Sequence, residues 1–209
     1  ETTRRLDSQL AELHSGLGAF ALTFTWDWGE ADRELRRALT LKPSDRDAHE
    51  LYGLYLLAMG RLREGADELQ RAIELDPLSH NTIGNLGLTS IYLRDYAGGI
   101  EHCRRALRLK PDFDLAHVPM VLGFIQQEKY AEAVAEVSPL ANLDTDPFLL
   151  SVLGYAYAAW GKRNEALAVL ERIQGLSQKL PFVPPSQEAR IHLALGDTTV
   201  LSASPECFL

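Results

Sequence analysis

The stretch ELQRAIELDP, residues 68–77, has two near copies in the chain, ELRRALTLKP at 34–43 and HCRRALRLKP at 102–111. They end at Pro43, Pro77 and Pro111, so the spacing is 34 residues twice over. A fixed period of this length marks stacked helical hairpins, because a single hairpin cannot bury its apolar face alone. Counting back from each proline, Ala38, Ala72 and Ala106 share one position, Leu35, Leu69 and Cys103 a second, and Ala31, Gly65 and Gly99 a third. Twenty-four residues back lie Ala19, Gly53 and Gly87, inside a separate apolar run. Small residues recurring on both runs predict two closely approaching helices per unit.

A fourth unit keeps Tyr130, Ala133 and Val137 in register, but its proline, Pro147, arrives two residues late, which predicts a redrawn loop near Asn142 to Asp146. Pro119 is expected to interrupt that unit's first helix. A fifth unit, LGYAYAAWGKRNEALAVLERI (153–173), places Gly154, Ala166 and Leu170 in order. After a proline-rich link at 179–185, one more helix is expected over 186–195. The units run about 12–45, 46–79, 80–113, 114–146 and 147–180, within a single array over 1–195, followed by a tail at 196–209. Helix-start chemistry agrees: Asp27 and Glu30 have capping-box spacing, Asp45 and Ser79 precede apolar runs, and Gly60 and Gly161 fall in turns. Asp32 with Arg36, Asp67 with Arg71 and Glu101 with Arg105 are spaced as pairs on a solvated helix face.

These residues resemble the tetratricopeptide repeat, whose 34-residue unit carries small residues at these spacings and a proline at its end. The resemblance covers about residues 12–195 and implies an all-α fold, a right-handed superhelical solenoid of antiparallel helical hairpins. His49 and His117 depart from the pattern, standing where the family often has a bulky aromatic. The WDW-x-x-A opening and the DPLS at 76–79 also resemble the repeat regions of bacterial signalling and transcriptional regulators. The first residue is Glu, which reads as a piece cut from such a longer protein.

Composition narrows the function. With 21 Lys and Arg against 29 Asp and Glu, the net charge of −8 lacks the basic excess that a nucleic-acid groove needs. Cys103 and Cys207 form no C-x-x-C, which suits a reducing cytoplasm, and no apolar run is long enough to cross a membrane. The six histidines fall in no metal-ligand spacing, and no phosphate loop or nucleophile elbow stands in a suitable context. The expectation is a protein without catalytic residues, metal or cofactor.

What the resemblance does imply is a groove lined by the first helices. By position it would include Phe20, Thr23 and Phe24, then Asp47, Glu50 and Leu54, then Asn81, Leu88 and Tyr92, and finally Val118, Leu122, Gln126, Ser151 and Tyr155. Such a lining, apolar and aromatic with an acidic rim, suits a protein or peptide partner with hydrophobic anchors and a basic flank. The same aromatics would equally serve to pack against neighbouring hairpins or an absent domain. A ligand-sensing domain of a bacterial regulator is the alternative, and self-association stays open. Within Trp26-Asp27-Trp28, Trp28 is a packing residue in register with Leu62 and Tyr96, and Asp27 is a helix cap. Trp26 alone is left as a candidate surface, at the turn register of Gly60, Arg94 and Glu128.

Overall fold

The computed structural model describes residues 2–140 and 142–197, and among them every regular element is helical. The helices fall into two compact units that divide between Ala116 and His117. The first holds α1 (Thr2–Phe20, continued by a π-helical turn at Ala21–Thr25), α2 (Trp28–Leu41), α3 (Arg46–Ala58), α4 (Leu62–Leu75), α5 (His80–Tyr92) and α6 (Tyr96–Leu109), then a 3-10 turn at Asp114–Ala116. The second holds α7 (His117–Gln126), α8 (Tyr130–Val137), α9 (Pro147–Ala159), α10 (Arg163–Ser177) and α11 (Ser186–Ala194). The hairpins pair α1 with α2, α3 with α4, α5 with α6, α7 with α8 and α9 with α10; α3 packs in turn on α2, α5 on α4 and α11 on α9. The tail from residue 198, with Cys207, lies outside the described residues.

The repeated small residues are where the helices of a hairpin touch. A Cβ on Gly53 would lie 2.9 Å from Leu69 Cγ, and one on Gly87 would lie 2.5 Å from Cys103 Sγ. Leu35, Leu69 and Cys103 are fully buried, so this one register supplies the knob that each glycine receives. Helix starts are set by side chains. Asp27 accepts from Glu30 N at 2.8 Å, Asp45 from Ala48 N, Ser79 from Thr82 N and Asp95 from Gly98 N. The Asp27 box is only half closed, because the Glu30 carboxylate bonds Arg33 rather than the Asp27 N–H. On the helix faces, Asp32 and Arg36 pair as expected. Glu101 instead reaches Arg108, and Arg105 donates to the Pro77 carbonyl.

Two expectations about the fourth hairpin are corrected. Pro119 is the third residue of α7, inside the first turn where a missing N–H costs nothing, so it interrupts no hydrogen bond ladder. Pro147 does not end the fourth unit late; it is the first residue of α9, behind the Asp146 cap. Both helices of this hairpin are short, α7 with 10 residues where α3, α5 and α9 have 13, and α8 with 8 where α4 and α6 have 14.

The first hairpin also departs from the period. In the others, the N–H after the left-handed turn residue closes on a carbonyl five residues back: Arg61 to Leu56, Asp95 to Ser90, Lys129 to Phe124 and Lys162 to Tyr157. Asp27 closes on Ala21, six back. One extra residue is therefore present, and the π-helical turn at Ala21–Thr25 absorbs it. Upstream of that turn the structural offset to α3 is 35 residues, and Gly18, not Ala19, is the counterpart of Gly53, its Cβ position lying 2.6 Å from Leu35 Cγ.

Candidate partner-binding face

The corrected register also explains the histidines. His14 Nδ1 lies 2.6 Å from Glu34, His49 Nδ1 lies 2.5 Å from Glu68, and His117 Nδ1 lies 2.7 Å from Glu136. Each pair ties the first helix of a hairpin to its second. His49 Nε2 also meets the Pro43 carbonyl at 2.9 Å, so both ring nitrogens face oxygen acceptors inside the hairpin. Hydrogen bonding from His14, with Arg33 adding to it, holds the Glu34 carboxyl below the usual carboxylate range against the opposing effect of burial. In the third hairpin Ile83 takes the histidine position and His102 the glutamate one, and burial pushes the His102 imidazole below its ordinary value. His14, His49 and His117 thus tie the two helices of their hairpins together. Among the described residues no cluster of three or more His, Cys, Asp or Glu is placed to hold a metal ion.

In the first unit, the expected lining residues of α3 and α5 are all accessible to some degree. Asp47 is exposed in the first turn of α3 beside Arg46, Leu54 and Leu88 are half-buried, and Asn81 and Tyr92 are exposed. Glu50 is held from two sides, accepting from Arg46 Nη1 at 2.7 Å and from Asn85 Nδ2 at 3.3 Å, and so links α3 to α5. A feature that sequence spacing does not announce lies beside them. Glu12, Ser15, Gly16 and Ala19 of α1, with Lys42, Asp45, Asp47 and Leu51, line a cavity of about 330 Å³. Lys42 Nζ sits 3.2 Å from Asp45 and 4.0 Å from Glu12, leaving more carboxylate than ammonium around the space. The Ser15 hydroxyl is buried with no hydrogen-bond partner among the described residues.

Phe20 and Phe24 stack at 5.3 Å, both exposed. The extra residue moves Phe20 one step round the helix, into the register of Tyr55 rather than Leu54, while Phe24 keeps the register of Ala58 and Tyr92. Trp26 sits at φ 56, the left-handed residue of its turn, where the other hairpins have Gly60, Arg94, Glu128 and Gly161. It is 65% exposed and meets the half-buried Trp28 edge to face at 5.7 Å.

In the second unit Leu122 and Tyr155 are half-buried and Gln126 is exposed at the end of α7. Ser151, another expected lining residue, is fully buried instead. Its hydroxyl lies 2.8 Å from Gln187 Oε1 and 3.0 Å from Arg190 Nη1, so α11 covers this part of α9. The expected closing helix is Ser186–Ala194, and with Gln187 and Ala189 buried it packs on α9.

Hairpins of this length on a 34-residue period, with small residues at the crossing, define a helical-hairpin repeat protein. Residues 80–113, spanning α5 and α6, match the model of the tetratricopeptide repeat family. Solved structures agree in fold. A tetratricopeptide repeat protein from Parabacteroides merdae matches with a TM-score of 0.79 at 16% identity, over 92% of this chain and 75% of that one. PilF of Pseudomonas aeruginosa matches with a TM-score of 0.69 at 16% identity, over 94% and 89%. YrrB, described as a tetratricopeptide repeat protein with an unusual peptide-binding site, matches at 0.57 and 19% identity, over 77% and 83%. No helix among the described residues is long and apolar enough to cross a membrane.

Proposed function

We propose that this chain is a non-catalytic interaction scaffold whose first unit holds a peptide or helix against α1, α3 and α5. The cavity beside α1 carries this reading, because its rim is acidic, with Glu12, Asp45 and Asp47 around the single Lys42. The cavity takes a basic side chain of the partner, with Asp47 and Glu12 at its rim, while Leu54, Leu88 and Tyr92 receive apolar anchors. In the second unit, Leu122, Gln126 and Tyr155 form a face of their own for a similar ligand. The peptide-binding site named for YrrB, a protein of similar fold, supports this class of ligand.

The test is fluorescence anisotropy with a library of labelled peptides that pair one Lys or Arg with two apolar anchors. Asp47→Lys and Tyr92→Ala should each weaken the best binder about tenfold or more. Asp47 is preferred to Glu50 for charge reversal because Glu50 bridges two helices. Glu12→Lys should weaken binding as well, because Glu12 stands on the same acidic rim. Binding unchanged in all three variants would remove the reading. A cavity of this volume also lies at the lower end of the range for small-molecule sites, which favours the ligand-sensing alternative. A small molecule that raises the melting temperature, with no peptide doing so, would decide for it.

A further inference from the structure

The structure assigns a second interaction surface to this protein, the outer face of α1, and the partner it fits is α1 of a second copy in antiparallel orientation. Leu10, Leu13, Leu17, Phe20 and Phe24 recur at spacings of three, four, three and four residues, the spacing of a helix-pairing seam. All five are exposed, from 43% for Leu17 to 73% for Phe24. The same register elsewhere in the unit is buried. With the 35-residue offset fixed by His14 and His49, the α3 counterparts of Leu13, Leu17 and Phe20 are Ala48, Tyr52 and Tyr55, at 0%, 6% and 7% exposure. The α5 counterparts Thr82, Leu86 and Thr89 are buried as well.

What covers that face on α3 is the second helix of the hairpin before it. Tyr52 and Tyr55 cluster with Ala31 and Leu35, the Tyr52 hydroxyl donates to Asp32, and the Arg36 guanidinium lies over the Tyr52 ring. On α1 the equivalent surface is apolar and has no helix against it among the described residues. It is a helix-receiving face of the kind already used twice in this unit.

Two observations identify the occupant as another copy. First, α1 runs helically from Thr2, nine residues upstream of the position equivalent to the start of α3. The tight turn that swings α2 onto α3 is therefore absent at that point of α1, so no helix among the described residues is placed to cover it as α2 covers α3. Second, the seam is self-complementary about Leu17. An antiparallel two-fold pairing sets Leu17 against Leu17, Leu13 against Phe20 and Leu10 against Phe24, so each layer outside the axis joins one leucine to one phenylalanine. The flanking positions, His14, Gly16, Ala21 and Thr23, put no carboxylate or lysine beside the seam and include small residues that permit close approach.

Sedimentation velocity of the full chain over a dilution series tests this. A monomer–dimer equilibrium is expected, and Leu17→Glu and Phe20→Glu should each raise the dissociation constant by about tenfold or more, whereas Tyr92→Ala leaves it unchanged. These side chains are exposed in the single copy, so circular dichroism should show the variants folded; Leu13→Ser serves if one is not. In a Cys207→Ser background, Leu17→Cys alone should crosslink with a short bismaleimide, and Leu10→Cys should require Phe24→Cys. A chain that is monomeric at every concentration, a dimer indifferent to the glutamates, or Leu10→Cys crosslinking by itself would each overturn the assignment.

Discussion

Substituting alanine for Gly53 puts the hairpin packing to a test of sign. On intrinsic propensity alone, alanine in a helix interior is favoured over glycine by about 1 kcal/mol. At Gly53, however, the new Cβ would stand 2.9 Å from Leu69 Cγ, 3.1 Å from Leu69 Cδ2 and 3.2 Å from the Gly65 carbonyl oxygen. Leu69 has no exposed surface and Gly65 is main chain, so neither can yield freely. Overpacking of this kind costs about 1–3 kcal/mol, with the upper part of the range expected where backbone is one of the obstacles. The steric cost should exceed the propensity gain, for a net loss of about 1–2 kcal/mol. In a chain of this size that lowers the melting temperature by roughly 2–8 °C. Gly16 supplies the control, because it lies on α1 with nothing within 4 Å of its Cβ position. Gly16→Ala should therefore raise the melting temperature by a few degrees. Thermal unfolding followed by circular dichroism reads both. If Gly53→Ala stabilises as Gly16→Ala does, the two helices do not meet where the period puts them, and the argument from small residues is wrong.

Three further outcomes follow from the same geometry. Because the Glu34 carboxyl titrates lower in the folded chain than its ordinary value of 4.5, its contribution is complete above that pH and is lost as the pH falls through the folded value; Glu34→Gln should flatten the acid limb of a stability profile measured by urea unfolding. At the left-handed turn, Trp26→Gly should be near neutral, since relieving φ 56 gains about 1–2 kcal/mol and losing the edge contact with Trp28 costs about 0.5–1.5 kcal/mol; Trp26→Ala loses the contact without full relief and should melt lower than Trp26→Gly. Deleting Thr23 should remove the π-helical turn and leave the His14–Glu34 pair intact, so the melting temperature stays within a few degrees, whereas deleting Ala58 from α3, which has no residue to spare, should lower it well beyond that.

The sequence made the hairpins legible because both of its strong signals are local. A crossing glycine and its partner recur at fixed distance from the proline, and a capping aspartate or serine sits directly before its helix, so Asp27, Asp45 and Ser79 could be read one at a time. The candidate face was less legible for a geometric reason. A helix turns about 100° per residue, so one inserted residue leaves the period of the downstream prolines untouched while rotating everything upstream by more than a quarter turn. Counting back from Pro43 therefore put Ala19 where Gly18 belongs and set Phe20 beside Leu54. The histidine pairs could have exposed the error. His14 to Glu34 spans 20 residues, but His49 to Glu68 and His117 to Glu136 span 19, and that difference is the extra residue.

That single residue also separates two roles that a strict 34-residue count would merge. If α1 followed α3 without insertion, Phe20 would join Leu54 and Leu88 on the partner-binding side, and the stripe through Leu13 and Leu17 would point elsewhere. With the π-helical turn in place, Glu12, Ser15 and Ala19 stand at the registers of Asp47, Glu50 and Leu54 and line the cavity. The turn leaves Phe24 in register with Tyr92, and the same Phe24, stacked on Phe20, closes the outer seam. The two aromatics thus form the boundary between the proposed ligand face and the proposed copy-to-copy face. A bulky partner anchor that displaces Phe24 would disturb Phe20 through the stack, so the two binding events are expected to be coupled. Thermodynamic reciprocity then fixes the measurement: whatever factor a bound peptide imposes on the dimerisation constant, dimerisation must impose on the peptide constant. Phe24→Ala should bring both factors to one while leaving each interaction detectable. Factors that stay above one in that variant would mean that the two faces communicate by another route.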